Sequence, residues 1–563
     1  MRRGLIVCLL FLLCLTACQG SKDIKIKEIS EDELVETSPV SGGTLELPLT
    51  HMDTVNPLLT KNTDYFYFSK LIFESLYISD ALGNFKNNLA EHYEFSEDGL
   101  TLSVTLKKDL RWHDGQPLTA QDVADTFNAI LDLPADNPYL GLIRHSMGSC
   151  NSFSGSGSCR AVAFDERNVD FQFDRPYRNV LQMLTFPVLP SHLLSQEDRL
   201  KEENFPIVGS GPFRYMSGDT LKPWTLEKNP NYWGQPPYID KVQGKILENK
   251  GQGTNALETG QVDLSMNDGY DWDRESNSSR IQVEEFPTNE LEFLAINMKQ
   301  EKFQGSQGQA LRQAMARSIN KARIIDSLCL GKAIQTSSLI HPKSKYADYI
   351  SQSIYYNVDT GRNILKKAGF KENERGFFTF PDGRELRIAI TTNSFNYNRK
   401  ATVDLIIDDL RRMGLEAYGN YLPVDNRKEK DPAKQKEEWD NFQKQIKDGN
   451  FDLALVGMQM TPLPDLSSLL YSGMVGQSNL SSYSSQEMDQ YLKKLSLRSV
   501  DEDEKTLYNK ITELFYRDCP YIPLYFKQGA ILKDKRIRRS LEPSVYDLYH
   551  RLSKTYIPKE YQD

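Results

Sequence analysis

Metal and acid–base chemistry would fall to histidine, cysteine and carboxylate side chains, and their spacing in this chain gathers them into no centre. The seven histidines (His51, His92, His113, His145, His192, His341 and His550) are scattered, with none at i, i+4, so no local metal-ligand cluster is visible and no metal or cofactor is expected. The sequence contains no Walker-type phosphate loop, no paired glycine-rich dinucleotide fingerprint, no HExxH and no Gly-x-Ser-x-Gly elbow. Gly209-Ser210-Gly211-Pro212 leads into Phe213-Arg214-Tyr215, a strand by pattern, and lacks the helix N-terminus that a phosphate cradle needs; it is read as a turn. Carboxylates are abundant, but abundance selects no acid/base pair. Catalysis is therefore not expected, and the chemistry to look for is binding.

The N-terminus carries the clearest covalent chemistry. Met1-Arg2-Arg3 precedes an apolar stretch, Leu5 to Thr16, that is shorter than the roughly 18 to 20 residues of a membrane-spanning helix and reads as an export signal. It closes on Leu15-Thr16-Ala17-Cys18, which resembles the bacterial lipobox; Cys18 would accept diacylglycerol and become the mature N-terminus, anchoring the protein to a membrane in the cell envelope, facing the periplasm or the exterior. Loss of residues 1–17 moves the net charge from −9 to −11, so no nucleic-acid footprint is present. Residues 18–42 lack aromatics, are rich in charge and read as a flexible tether. Outside the cytoplasm thiols can oxidise, and Cys150 and Cys159 flank a Ser/Gly-rich loop able to bring them to disulfide distance. That pair is favoured over two free thiols; Cys329 and Cys519 stay open as buried thiols or a second bridge.

The elements that must position a binding site alternate between strand and helix. Gly43 to Thr50 reads as a first strand and Tyr65 to Leu76 as a mostly buried helix. Leu100, Leu102, Val104 and Leu106 alternate with polar residues at period two, as do Val169, Phe171 and Phe173, which marks half-buried strands. Thr119 to Asp122 has N-cap spacing, with Val123, Phe127 and Ile130 following at helical intervals. Leu311, Ala314, Met315 and Ile319 line one helix, and Val403, Ile406, Ile407 and Leu410 another that ends at Gly414. Phe451 to Gly457 is a short buried strand, and two further helices lie over 488–495 and 507–515. Asp425 to Lys447 is a charge run read as a solvated helical face.

Several ordered segments together carry a resemblance. They include Leu89-Ala90-Glu91-His92-Tyr93 and the run from Leu106 to Val123 (LKKDLRWHDGQPLTAQDV), the most specific piece. Gly209 to Phe213, Glu227 to Trp233, Leu257 to Asp263, Leu311 to Ala314 with Ile319-Asn320-Lys321, and Ile364 to Phe370 follow at the right separations. The chain thereby resembles the bacterial extracellular solute-binding proteins of family 5, over about residues 43–540. The resemblance implies an α/β, two-lobed periplasmic-binding-protein-like fold of three parts, with mixed sheets and a ligand trapped by hinge closure. Residues 43–60, 206–290 and 522–563 would form lobe I, 61–205 an insertion (domain II) and 291–521 lobe III, with crossovers at Leu291–Asn297 and Tyr521–Phe526. The function implied is capture of a peptide or modified peptide by a monomeric lipoprotein without catalysis, serving ABC permease subunits. Oligosaccharides, opines and metal chelates are alternative ligands on the same fold, and a surface enzyme or adhesin is a more distant one.

In peptide-binding members of the family, the lobe III strand and its following loop carry an aspartate for the ligand's α-ammonium. Here the matching segment places Met458 where tryptophan is usual and Thr461 where the acid would sit, within the apolar loop MQMTPLPDL that includes Gln459. A threonine hydroxyl cannot neutralise an ammonium, which leaves Asp465, four residues late, as the nearest substitute. By position, Lys61, Asn62, Thr63 and Asp64 are expected to pair with an extended ligand as an added strand, and Met266, Asn267, Asn393, Tyr397 and Arg399 to line the cleft.

Overall fold

The computed structural model describes residues 38–80, 82–195, 197–201, 205–219, 222–267, 269–349, 353–422, 432–498 and 503–562. The signal segment, Cys18, most of the tether and the start of the charge run therefore lie outside the described residues. From Pro432 to Lys447 the remainder of that run is a helix that buries Phe442 and Ile446 and exposes Glu437, Asp440, Lys444 and Lys447.

Among the described residues, three larger sheets organise the molecule. Thr44–Leu49 pairs in parallel with Lys241–Ile246, which continues antiparallel to Trp224–Lys228 and then Phe213–Ser217. A second four-stranded sheet runs Ala90–Phe95, Thr101–Leu106, Asn168–Phe173, Cys159–Ala163. Thr101–Leu106 buries every second residue, as its period-two pattern demands. Both sheets share one continuous core that joins residues 45–264 to 537–561. The third sheet is seven-stranded and mixed, with Ile281–Ile296 and Tyr521–Asp534 at its centre. Two further cores over residues 291–526 flank it.

Those central strands make the molecule two-lobed. The first half of Ile281–Ile296 pairs with the second half of Tyr521–Asp534, from Ile281 with Asp534 to Pro287 with Gln528, and its second half with the first half of that partner, from Leu291 with Phe526 to Ala295 with Tyr521. A register irregularity between Pro287 and Leu291 separates the halves, where proline cannot donate to the ladder. The runs expected to cross, Leu291–Asn297 and Tyr521–Phe526, thus correspond to the second half of Ile281–Ile296 and the first half of Tyr521–Asp534.

Helices begin and end where their capping residues predict. Ala120–Ile130 starts from a capping box in which the Asp122 side chain receives the Thr119 N–H at 2.8 Å. Tyr397–Met413 stops at left-handed Gly414, φ 99°. The expected helix over Tyr65 to Leu76 is shorter, Thr63–Ser69. Beyond it the carbonyls of Leu71, Ile72, Glu74 and Leu76 accept from Phe213, Gly211, Val188 and Asn88, so tertiary partners replace the helical ladder. The expected Cys150–Cys159 disulfide is absent: all four described cysteines are free, buried thiols. Cys159 is held in its strand opposite Phe173, and a 3₁₀ turn at Gly155–Gly157 with the Ser158 Oγ bond to Ser154 N (2.9 Å) shapes the loop away from closure.

His113 ties the turn at Gly209 to this frame: its Nε2 donates to Gly211 O at 3.0 Å and its Nδ1 accepts from Gly209 N at 3.2 Å. Burial pushes its pKa down to about 4, so it is neutral and structural at ordinary pH. At Gly209 a Cβ would lie 1.9 Å from the Ile72 carbonyl oxygen, a backbone atom that has no side-chain freedom to retreat. Gly209→Ala is accordingly expected to cost at least about 2 kcal/mol, read as a lowered urea midpoint; a midpoint equal to the parent's would refute this close approach.

Candidate functional site

Where the strand Leu453–Gln459 ends, the chain turns into the loop 459–462, and that loop forms one wall of a cavity of about 850 Å³. The other walls come from 66–88 and 135–145 in the part that carries the second four-stranded sheet, and from 232–235 and 546–554. This volume is in the range of sites that enclose a ligand the size of a short peptide or drug. The loop is pinned from both sides. Met460 N donates to Asn289 O at 2.8 Å, Tyr546 Oη donates to Met460 O at 3.0 Å, and Leu463 N donates to the Gln182 side chain at 3.2 Å.

Thr461 lines the cavity, but its hydroxyl is committed to Leu463 O at 2.7 Å. Gln459 lines it too, whereas Met458 packs against a lobe core. Asp465 does not line the cavity: its Oδ2 receives Ser149 N at 2.8 Å and Ser149 Oγ at 2.6 Å, with His145 Nδ1 at 3.4 Å, while Oδ1 receives Ser467. The expectation that Asp465 replaces the missing ammonium acceptor is corrected by this geometry, since its lone pairs are spent on a clasp between two parts of the molecule. More bonds join the same parts. Arg178 donates to Leu495 O and Leu497 O at 3.0 and 2.9 Å, and Arg498 N donates to Pro176 O at 2.7 Å.

Lys61 to Asp64 also lie outside the cavity lining. Asn62 caps the helix Thr63–Ser69, accepting from Asp64 N and Tyr65 N, and Asp64 accepts from Thr50 Oγ1 at 2.6 Å. The Lys61 and Asn62 N–H groups are bound to Asp53 Oδ2 and Thr60 Oγ1, which removes the donors an added ligand strand would need; Thr63 is exposed. Met266 and Asn267 sit on an edge strand beside Ile531 and Ala530. Asn393 is buried at a strand end, with Oδ1 unpartnered, and Tyr397 is exposed at the next helix start. Arg399 is consumed by a two-bond pair with Glu292 (2.9 and 2.8 Å), beside Lys527, which reaches Glu290 at 2.8 Å and Glu292 at 3.6 Å. Burial opposes the Arg399 charge, but Glu292 outweighs it and raises the pKa above the ordinary value.

The cavity's charged groups are ones that sequence reasoning missed. Glu74 is buried in the wall, with Tyr232 Oη and Trp233 Nε1 both donating at 2.8 Å and Ser210 Oγ at 3.1 Å. Burial pushes its carboxyl up to about 7 against those bonds. Lys70, Lys107 and Asp547 line the same space. The signal for two of them was present: Lys70 and Glu74 are the charges in the otherwise apolar run YFYFSKLIFESL. Among the described residues no group of three or more His, Cys, Asp or Glu is placed to hold a metal ion.

With two lobes and a large, partly open cavity, the architecture is that of a solute-binding protein. The model of the bacterial extracellular solute-binding proteins, family 5 Middle, matches residues 84–479, and the chain belongs to that family. It is 23% identical to the oligopeptide-binding protein AppA of Bacillus subtilis over 557 residues, 97% of this chain and 96% of the relative. It is 24% identical to the nickel-binding periplasmic protein of Escherichia coli over 415 residues, covering 72% and 73%. The solved ABC transporter substrate binding protein CtaP of Listeria monocytogenes superposes with a TM-score of 0.74 at 21% identity, covering 92% of this chain and all of that one.

Burial raises the Asp465 pKa, but hydrogen bonds from His145, Ser149 and Ser467 outweigh it and leave the pKa below its ordinary 3.8. Because the folded value is the lower one, Asp465 stabilises the closed arrangement above the ordinary carboxylate range, and that contribution is lost as acid titrates it through the lowered value. Asp465→Asn, and Ser149→Ala, which spares the Ser467 bonds, should each raise the radius of gyration of the unliganded protein measured by X-ray scattering. Unchanged radii in both would show that the clasp does not hold the lobes together.

Proposed function

We propose that this chain is the capture subunit of an ABC importer: it binds peptides, including modified peptides, between its lobes and delivers them to a membrane permease. The observation that carries the reading is the partly open cavity of about 850 Å³, bounded by the loop 459–462 and by the part facing it. The oligopeptide-binding relative, matched along nearly its whole length, supports the peptide class. No catalytic step is assigned. The proposed division is lobe I from 43–60, 206–290 and 522–563, the insertion 61–205 and lobe III from 291–521, hinged where the paired strands change register. Cys18 is proposed as the lipid attachment site and residues 18–42 as the tether to the envelope membrane. Among the described residues, no helix is long and apolar enough to cross a membrane.

Purification of the mature domain from cells, native mass spectrometry before and after unfolding and refolding, and a thermal-shift screen of a peptide library test this. Captured peptide masses that vanish on refolding, and a melting point raised by re-added peptide, are the expected result; a ligand at 100 times its Kd adds about 2.7 kcal/mol. Stabilisation by an opine, saccharide or chelate and by no peptide would overturn the peptide class. Appearance of ligand-derived products would overturn the non-catalytic reading.

A further inference from the structure

The charges facing the cavity are unequal in how they are satisfied. Its carboxylates are Glu74, Asp136 and Asp547, and each already has a partner. Both oxygens of Glu74 accept from Tyr232, Trp233 and Ser210. Asp136 pairs with Lys61 at 3.4 Å. Asp547 accepts from Tyr549 N at 3.1 Å and lies 3.8 Å from His550 Nδ1.

The cations differ. Lys86 and Arg551 both pair with Glu542, and Lys554 is exposed to water. Lys70 and Lys107 have no carboxylate within 4 Å among the described residues; each instead lies over an aromatic face, Lys70 Nζ 4.7 Å from the Phe66 centroid and Lys107 Nζ 4.0 Å from that of Trp233. A cation–π contact fixes where an ammonium sits without neutralising it. Burial pulls the pKa of both lysines below the ordinary value, against the more distant charges of Asp547 for Lys70 and of Glu74 and Glu91 for Lys107. A half-buried cation kept short of both water and a counter-ion is stabilised when an anion arrives.

We propose that Lys70 and Lys107 are separate carboxylate-receiving positions of this cavity, so that its ligand is held by an anionic group and needs no free ammonium. This rests on the reading of the cavity as the ligand site and narrows the ligand to carboxylate-bearing peptides, among which amino-blocked ones are accepted. It also accounts for Thr461: with its hydroxyl turned to Leu463 O, the loop presents no acid to an ammonium, and the cavity's fixed positive charges make the complementary demand.

The test is calorimetric titration of the purified domain, cleared of captured ligand by refolding, with four peptides: trialanine, trialanine amide, N-acetyl-trialanine and N-acetyl-trialanine amide. Glutarate serves as a carboxylate without peptide bonds. N-acetyl-trialanine is expected to bind on the order of 100-fold more tightly than its amide, the size of losing a buried charge partner. Lys70→Met or Lys107→Met, whichever position takes the single carboxylate, should cut that ratio at least tenfold, and arginine at the same position should keep most of it. Equal affinity for acid and amide, or a strict requirement for the free amine, overturns the subsite and leaves the peptide reading standing. So does an acid preference that survives in both methionine variants. If none of the four peptides binds, saturable glutarate binding that Lys70→Met abolishes supports the subsite, and the peptide class is decided by the library screen. Silence from glutarate as well overturns the subsite, and the peptide class is then decided by the library screen.

Discussion

Everything in this molecule depends on the ladder between Ile281–Ile296 and Tyr521–Asp534. The partners are about 230 to 250 residues apart in sequence, so pairing them closes a very long loop, and each strand then belongs to both lobes. One half of the ladder carries the edge strand Leu264–Asn267 and the other carries Leu453–Gln459, whose loop walls the cavity. On the second half Glu292, Arg399 and Lys527 lie together, and Gly457 is what makes room for them. A Cβ there would fall 2.2 Å from Arg399 Nη2 and 2.4 Å from Glu292 Oε1. The groups are well satisfied, so this buried ionic cluster acts on register and on which faces meet more than on gross stability.

The fold was largely legible because its signals are local. Period-two runs such as Leu102, Val104 and Leu106, the capping box at Thr119 and the terminating Gly414 each specify an element through neighbours in sequence. Illegible features were those decided by distant partners. The residues after Ser69 leave the helix because Gly211 and Phe213, some 140 positions on, claim their carbonyls. Cys150 and Cys159 stay apart because the sheet fixes Cys159 opposite Phe173.

The same distinction governs the site. The loop 459–462 was found because it follows a recognisable strand, and Thr461 does face the cavity. Lys61 to Asp64 were taken for ligand contacts, but Asp53, Thr60 and Thr50 absorb their polar groups locally. Arg399 and Asp465 are charged and well placed along the chain, yet Arg399 is paired with Glu292 and Asp465 accepts hydrogen bonds from Ser149, partners more than 100 residues away. Proximity to a motif identifies candidates; which charges remain unsatisfied after folding identifies those a ligand can use.

That last point bears on how such a receptor stays responsive. The contacts that join the two parts include several hydrogen bonds: Asp465 with Ser149, Arg178 with the carbonyls of Leu495 and Leu497, and Arg498 with Pro176. Each replaces bonds to water that the open form makes, so each contributes only about 0.5 to 1.5 kcal/mol net, or somewhat more where a charge is involved. An interface built this way orients the lobes without committing them. A ligand in this cavity would touch the loop 459–462 as well as the residues opposite it, and could shift such an arrangement only by its differential affinity for it. Had closure been driven by a large apolar face, the empty protein would lock shut and ligand binding would shift nothing. Polar closure around incompletely satisfied charge leaves the decision to the solute.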